Sequence, residues 1–251
     1  MPDPTELDRL VVVLVRPRNP LNIGAAARAL SNFGVSQLRV VNPYSLAFRD
    51  ARSAVGASSV MTQAQEYSTL ADAVADCALV VGTTAIGQRS LQNPVRRLEP
   101  QTALIIRHAL QKGRVALLFG SEKTGLSNDD FSFCHWLLHI PTADENISMN
   151  LGQAVAVCLF QLAQEEESTP PAEPLKELAT NAQSEQITKC LLEALDISGY
   201  IKPGTGPMFE KKTRNLILRF GLEAYDAKLI LGMLRQILWK LRGKKGSSPE
   251  D

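Results

Sequence analysis

The chain has 251 residues, 45% of them hydrophobic, with a formal net charge of +1, which is enough for one large domain or a catalytic domain with a small appendage. No apolar run reaches the ~20 residues that span a bilayer, and the opening MPDPTELDRL lacks the basic start and apolar stretch of a signal peptide, so a cytoplasmic protein is expected. The small net charge hides an uneven distribution: residues 210 to 245 hold ten Lys or Arg against three acids, a local +7 that leaves −4 for residues 1 to 209.

Short apolar runs alternate with helical patterns through residue 164, which predicts an α/β fold with a mostly parallel sheet covered by helices on both faces. The expected strands are 10–15, 37–42, 77–83, 114–120 and 135–140, and the expected helices 22–33, 69–76, 102–111 and 150–164. An acidic, proline-rich run, EEESTPPAEP, then breaks the alternation as an exposed linker would. Beyond it strands disappear, and leucines recur at helical intervals before and after the turn-forming stretch KPGTGP. The expected organisation is a catalytic domain over 1–165, a linker over 166–174, a small helical domain over 175–245 and a disordered tail over 246–251.

Cys77, Cys134, Cys158 and Cys190 are well separated among apolar neighbours, with no C-x-x-C and no His at ligand spacing, so buried free thiols and no metal are expected. His108, His135 and His139 read as structural.

Three loops stand out in chain order. In RPRNPLNIGAAAR (16–28) a strand ends and a small-residue helix begins; Asn22 is placed to cap it, Gly24 to Ala27 permit close packing or close backbone approach, and Arg16, Arg18 and Arg28 can converge on a phosphate. In LLFGSEKTGLS (117–127) an apolar strand runs into a loop with two glycines, where backbone groups can approach a ligand at the carboxyl end of the sheet. The loop matches neither G-x-G-x-x-G nor G-x-x-x-x-G-K-[ST], which argues against nucleotide dehydrogenases, kinases and Rossmann-type methyltransferases. In HIPTADENISMNLGQAVAVCLFQL (139–162) a strand ends at Pro141 and a helix begins near Ser148 to Asn150, either of which can cap it.

Together and in this order, N-x-G-x-x-x-R (Asn22, Gly24, Arg28), F-G-x-E-x-x-G-L (Phe119 to Leu126) and I-P…S-M-N-L (Ile140, Pro141, Ser148 to Leu151) strongly resemble the three motifs of TrmH-like SPOUT methyltransferases. Within that group, the acidic linker and basic helical C-terminal part resemble the TrmJ type, which 2′-O-methylates the nucleoside at position thirty-two of the tRNA anticodon loop. The resemblance implies a deep trefoil knot built from 120–126 and 142–151, an exception to the rule against threaded loops. It implies S-adenosylmethionine held by Thr83, Thr84, Gly120, Glu122, Ile140, Ser148 and Leu151, mostly through backbone groups. It also implies a central catalytic role for Arg28, supported by Asn22, Ser148 and Asn150.

The family often assigns the arginine as general base. A guanidinium normally stays charged, so gripping the adjacent phosphate and stabilising negative charge on the 2′-oxygen is physically easier. The same resemblance implies a homodimer; the apolar 150–164 helix fits a dimer face, and core burial predicts the same pattern. For tRNA phosphates the basic cluster Lys211, Lys212, Arg214 and Arg219 is the expected surface. The chain departs from the TrmJ type in GTTAIGQRS, where an Arg-x-Arg pair is common and Arg89 alone remains. Methylation of rRNA or of a D-loop guanosine, and a catalytically inactive RNA-binding protein, are the competing readings.

Overall fold

Backbone order follows the apolar runs. In the computed structural model, which describes residues 7–53, 59–85, 92–143, 149–164 and 177–244, the chain runs β1 (Leu10–Val15), α1 (Pro20–Asn32), β2 (Gln37–Val41), α2 (Ser45–Ser53), α3 (Ser59–Thr62), β3 (Gln65–Tyr67), α4 (Leu70–Ala73) and β4 (Cys77–Thr84). It continues through β5 (Val95–Arg97), α5 (Pro100–Lys112), β6 (Arg114–Phe119), α6 (Asn128–Phe131), β7 (Trp136–His139), α7 (Leu151–Leu162), α8 (Asn181–Ile197), α9 (Gly206–Arg219) and α10 (Ala224–Lys244).

The seven strands form one sheet in the order β3-β2-β1-β6-β4-β7-β5, and every described pairing is parallel. β1 is buried at all six positions, as both faces of a parallel sheet require. Its residues divide by parity: Leu10, Val12 and Leu14 join the core under α1, α5 and α7, while Val11, Val13 and Val15 face Leu70, Leu126 and Phe131 on the other side.

The five apolar strands of the sequence reading are all present. The structure adds β3 and β5, two three-residue edge strands, and the short helices α2, α3 and α6. Two boundaries need correction. α1 starts at Pro20, and its cap is Asn19, whose side chain accepts from the Leu21 amide at 2.9 Å; Asn22 lies inside the first turn. α9 starts within KPGTGP, with proline in its first turn where a missing N–H costs nothing.

The GAAA stretch serves helix crossing. A Cβ on Gly152 of α7 would stand 2.6 Å from the Cβ of Ala25 in α1, so the two helices meet at backbone distance. Past residue 177, α8, α9 and α10 gather around a separate small core of Ala179, Ile187, Ile217, Ala227 and Leu231. They dock on the sheet's side of the molecule through the Ala182 amide, which donates to the Ala75 carbonyl at 2.9 Å. Residues 166–174 and 246–251, the expected linker and tail, lie outside the described residues.

Cys77, Cys134 and Cys158 are buried free thiols and Cys190 is half-buried; burial pushes Cys77 and Cys158 up to about 12. His135 takes the Val80 amide on Nδ1 at 3.1 Å, and burial pushes its pKa down to about 4. An unfolded imidazole binds its proton near 6.5, so stability is lost as pH falls from about 6.5 toward 4, by up to about 3 kcal/mol. Urea unfolding at pH 7 and pH 5 should show that loss in the wild type and a flatter profile in His135→Gln. Gly152→Ala should destabilise by roughly 1–3 kcal/mol despite the better helix propensity of alanine, because two Cβ atoms cannot share that crossing; thermal melts check it.

Candidate active site

The sheet order sets β6, β4 and β7 side by side with their carboxyl ends pointing the same way. That edge is where α/β sheets bind ligands. The chain leaves β6 at Gly120, β4 at Thr84 and β7 at Ile140, and these exits surround a cleft of about 380 Å³.

Thr83, Thr84, Gly120, Glu122, Ile140 and Leu151 all line that cleft. Ser148, expected with them, lies outside the described residues, as does Arg89. The lining also includes Thr142 and Met149, both within the segment expected to form the knot, and Phe131, which no motif contains.

The 120–125 turn is folded tightly on itself. The Gly125 amide donates to the Ser121 carbonyl at 2.8 Å, and Gly125 has φ +66°, where a side chain would be strained. A Cβ on Gly120 would lie 2.0 Å from the Gly125 carbonyl carbon. No side chain fits there, which keeps backbone groups at the cleft wall. Beneath, Leu126 approaches the strand so closely that a Cβ on Gly82 would stand 3.2 Å from it.

Glu122 joins this turn to the first loop. Its carboxylate accepts from the amides of Arg18 at 3.1 Å and Asn19 at 3.2 Å and from the Asn22 side-chain amide at 3.0 Å. Burial works to raise the Glu122 pKa, but hydrogen bonds from its own amide, from Asn22 and from Arg18 and Asn19 outweigh it and hold the carboxyl below its ordinary value. Asn22 in turn accepts from Asn150 at 2.9 Å. Asn150 caps α7 through Gly152 and Gln153, so Asn22, Glu122 and Asn150 form one chain of contacts across the three motifs. The side chain of Glu122 thus organises the loops, a larger part than the backbone contact expected of it.

The arginines separate. Arg28 is exposed and does not line the cleft of its own chain. Helical spacing puts it on the face of Leu21, Gly24 and Ala25, where Leu21 is 79% exposed. Arg18 is exposed. Arg16 has φ +52°, uncommon for a residue with a Cβ, and its guanidinium grips both oxygens of buried Asp130. The guanidinium expected to meet a phosphate is thus already paired with a carboxylate of its own chain, while 40% of the Arg16 side chain stays exposed.

Of the C-terminal cluster, Lys212 and Arg219 are exposed, and Lys211 is paired with Asp129. Arg214 is a correction: it is 5% exposed, bound to Glu185, Glu210 and Ser132, and it stacks 4.3 Å from the Phe133 ring centre. It is sealed from RNA. Among the described residues no cluster of His, Cys, Asp and Glu could hold a metal ion, and no helix is long and apolar enough to cross a membrane.

Residues 9–160 match the model of the SpoU rRNA Methylase family. The chain is 31% identical to the tRNA (cytidine/uridine/adenosine-2′-O-)-methyltransferase TrmJ of Pseudomonas aeruginosa, over 98% of this chain and 100% of that protein. It is 34% identical to the tRNA (cytidine/uridine-2′-O-)-methyltransferase TrmJ of Klebsiella pneumoniae, over 95% of this chain and 100% of that one. The crystal structure of TrmJ from Z. mobilis superposes with a TM-score of 0.77 at 32% identity, covering 90% of this chain and 98% of that chain. Motifs, fold and full-length similarity agree: the chain belongs to the SpoU methylase family and, within it, groups with the TrmJ methyltransferases.

Proposed function

We propose that the protein transfers a methyl group from S-adenosylmethionine to a ribose 2′-hydroxyl of tRNA, at cytidine or uridine 32 of the anticodon loop. The observation that carries this reading is the contact chain Asn22–Glu122–Asn150, which binds all three motif loops around one cleft. The names of the full-length relatives support the tRNA substrate over rRNA or a D-loop guanosine. An intact cleft argues against an inactive RNA-binding protein.

The residues present fit the cofactor. The cleft's volume lies in the range of small-molecule sites, and the Gly120 position, where a Cβ has no room, leaves backbone amides and carbonyls free to face a ligand. When bound, S-adenosylmethionine supplies an electrophilic methyl on a positive sulfonium. Thr83, Thr84, Gly120, Ile140 and Leu151 would form the holding walls. Glu122, kept ionised by its donors, would add negative potential to a cleft that receives a positive sulfonium.

In this reading the 120–126 turn belongs to a trefoil knot, and the helices past residue 177 are a tRNA-binding domain. The active site is completed in a homodimer. Arg28 lies outside its own cleft on an open helix face, so a second copy delivers it. Its guanidinium stays protonated, holds the neighbouring phosphate and stabilises negative charge on the 2′-oxygen, while phosphate or water accepts the proton. Asn22 and Asn150 set the rim against which the ribose rests. Arg18, Lys212 and Arg219 contact phosphates.

Arg28→Ala should lower kcat by about 100-fold or more while leaving S-adenosylmethionine affinity unchanged. The decisive assay is ribose methylation mapping of tRNA incubated with enzyme and cofactor: methylation at another site, or at none, overturns the substrate reading. For Glu122, whose folded pKa is depressed, the stabilising contribution is complete above the unfolded carboxyl range of about 4.5 and disappears as pH falls below it. Wild type should therefore melt above Glu122→Gln at pH 7, and the Tm gap should shrink below about pH 4.5.

A further inference from the structure

α6 is only four residues long, yet it stands between the C-terminal helices and the first motif loop. From one side, Arg214 of α9 donates to the Ser132 hydroxyl at 3.0 Å, stacks on Phe133, and Lys211 pairs with Asp129. From the other, Asp130 receives the guanidinium of Arg16 on both oxygens. A capping box rigidifies the helix between them, with the Ser127 side chain and Asp130 satisfying each other's backbone amides.

The line of contacts continues. The Arg16 amide is fixed to the Val41 carbonyl at 2.8 Å, and two residues later the Arg18 and Asn19 amides reach Glu122. Between α9 and the cleft rim the connection runs through charge-assisted hydrogen bonds joined by two short stretches of backbone, Asp130 to Ser132 at the end of α6 and Arg16 to Arg18 in the loop. A buried ion pair is seldom more stabilising than well-packed apolar residues of the same volume. What a buried guanidinium adds is direction: its planar fork fixes several partners at once. Arg214 uses its fork to hold α8, α9 and the end of α6 in one geometry.

We propose that Arg214 is a positioning residue for methyl transfer, acting through Ser132, Asp130 and Arg16 to set the Arg18–Asn22 segment at the rim of the cleft. The proposal rests on the methyltransferase reading above. Exposed Lys212 and Arg219 belong to the same helix, so an RNA contact there and the cleft rim share one rigid connection. A 1 Å misplacement of a rim group suffices to slow a reaction that depends on alignment.

Ser132→Ala tests the link while leaving both carboxylate partners of Arg214 in place. It should lower kcat at saturating tRNA and S-adenosylmethionine by about 10-fold and leave KM for tRNA within about twofold. Amide hydrogen exchange supplies a readout that needs no activity. The Arg18 and Asn19 amides should exchange about 10-fold faster in Ser132→Ala and in Arg214→Met, while the Ala182 amide, which reports docking of the helices, keeps its protection. Unchanged rim amides, a raised KM with kcat intact, or faster exchange at Ala182 as well would each overturn the proposal. If the wild type methylates no tRNA, the functional reading fails on its own, and the exchange data still decide whether the link exists.

Discussion

The carboxylate of Glu122 is the tie on which the cleft depends. In RPRNP the two prolines have no N–H, so the loop between β1 and α1 has three amides to offer: that of Arg16 goes to the Val41 carbonyl, and those of Arg18 and Asn19 both go to Glu122. The carboxylate gives those two amides an acceptor outside their own loop, and they in turn offset the desolvation of a half-buried charge. Each side supplies what the other lacks, across a separation of about a hundred residues. The tightness of the 120–125 turn is what presents the carboxylate at the right place.

The second requirement is distance between helices. Asn22 sits in the first turn of α1 and Asn150 caps α7. Their side chains are short, so they can touch only if the helix ends come unusually close. Ala25 and Gly152 permit that by meeting without intervening side-chain bulk. Packing and site geometry are therefore one constraint: a larger residue at the crossing would move the first and third motifs apart even with every polar group intact.

Much of this was legible in the chain. Strands buried on both faces appear as unbroken apolar runs, and all five such runs were found. β3 and β5 were not, because Gln65, Glu66 and Val95 to Arg97 are exposed and three-residue edge strands leave no periodic trace. The true cap of α1 had a signal, Asn19 directly before Pro20, since proline favours the first helical turn; Asn22 drew attention because it belongs to a motif. Ser127-x-x-Asp130 is likewise a readable capping box. Arg214 could not be separated from its basic neighbours by composition. Its i,i+4 partner Glu210 is visible in sequence, but Glu185 and Ser132 are tertiary partners.

Arg28 raises a question of charge that the proposed dimer answers. A sulfonium and a guanidinium held close together repel each other; Lys123 already brings one cation to the cleft wall, and a second from Arg28 of the same chain would weaken cofactor binding further. Among the described lining residues Glu122 is the sole carboxylate, and its charge is already spread over three donors in the first loop. An Arg28 held on an outward helix face avoids the conflict in the resting protein. In the proposed reaction it reaches the site from another copy with an RNA phosphate in its grip, so its positive charge arrives largely neutralised. In the proposed dimer, the open position of Arg28 in each chain would let one copy's cleft take the cationic donor while the other copy's arginine brings the anionic substrate.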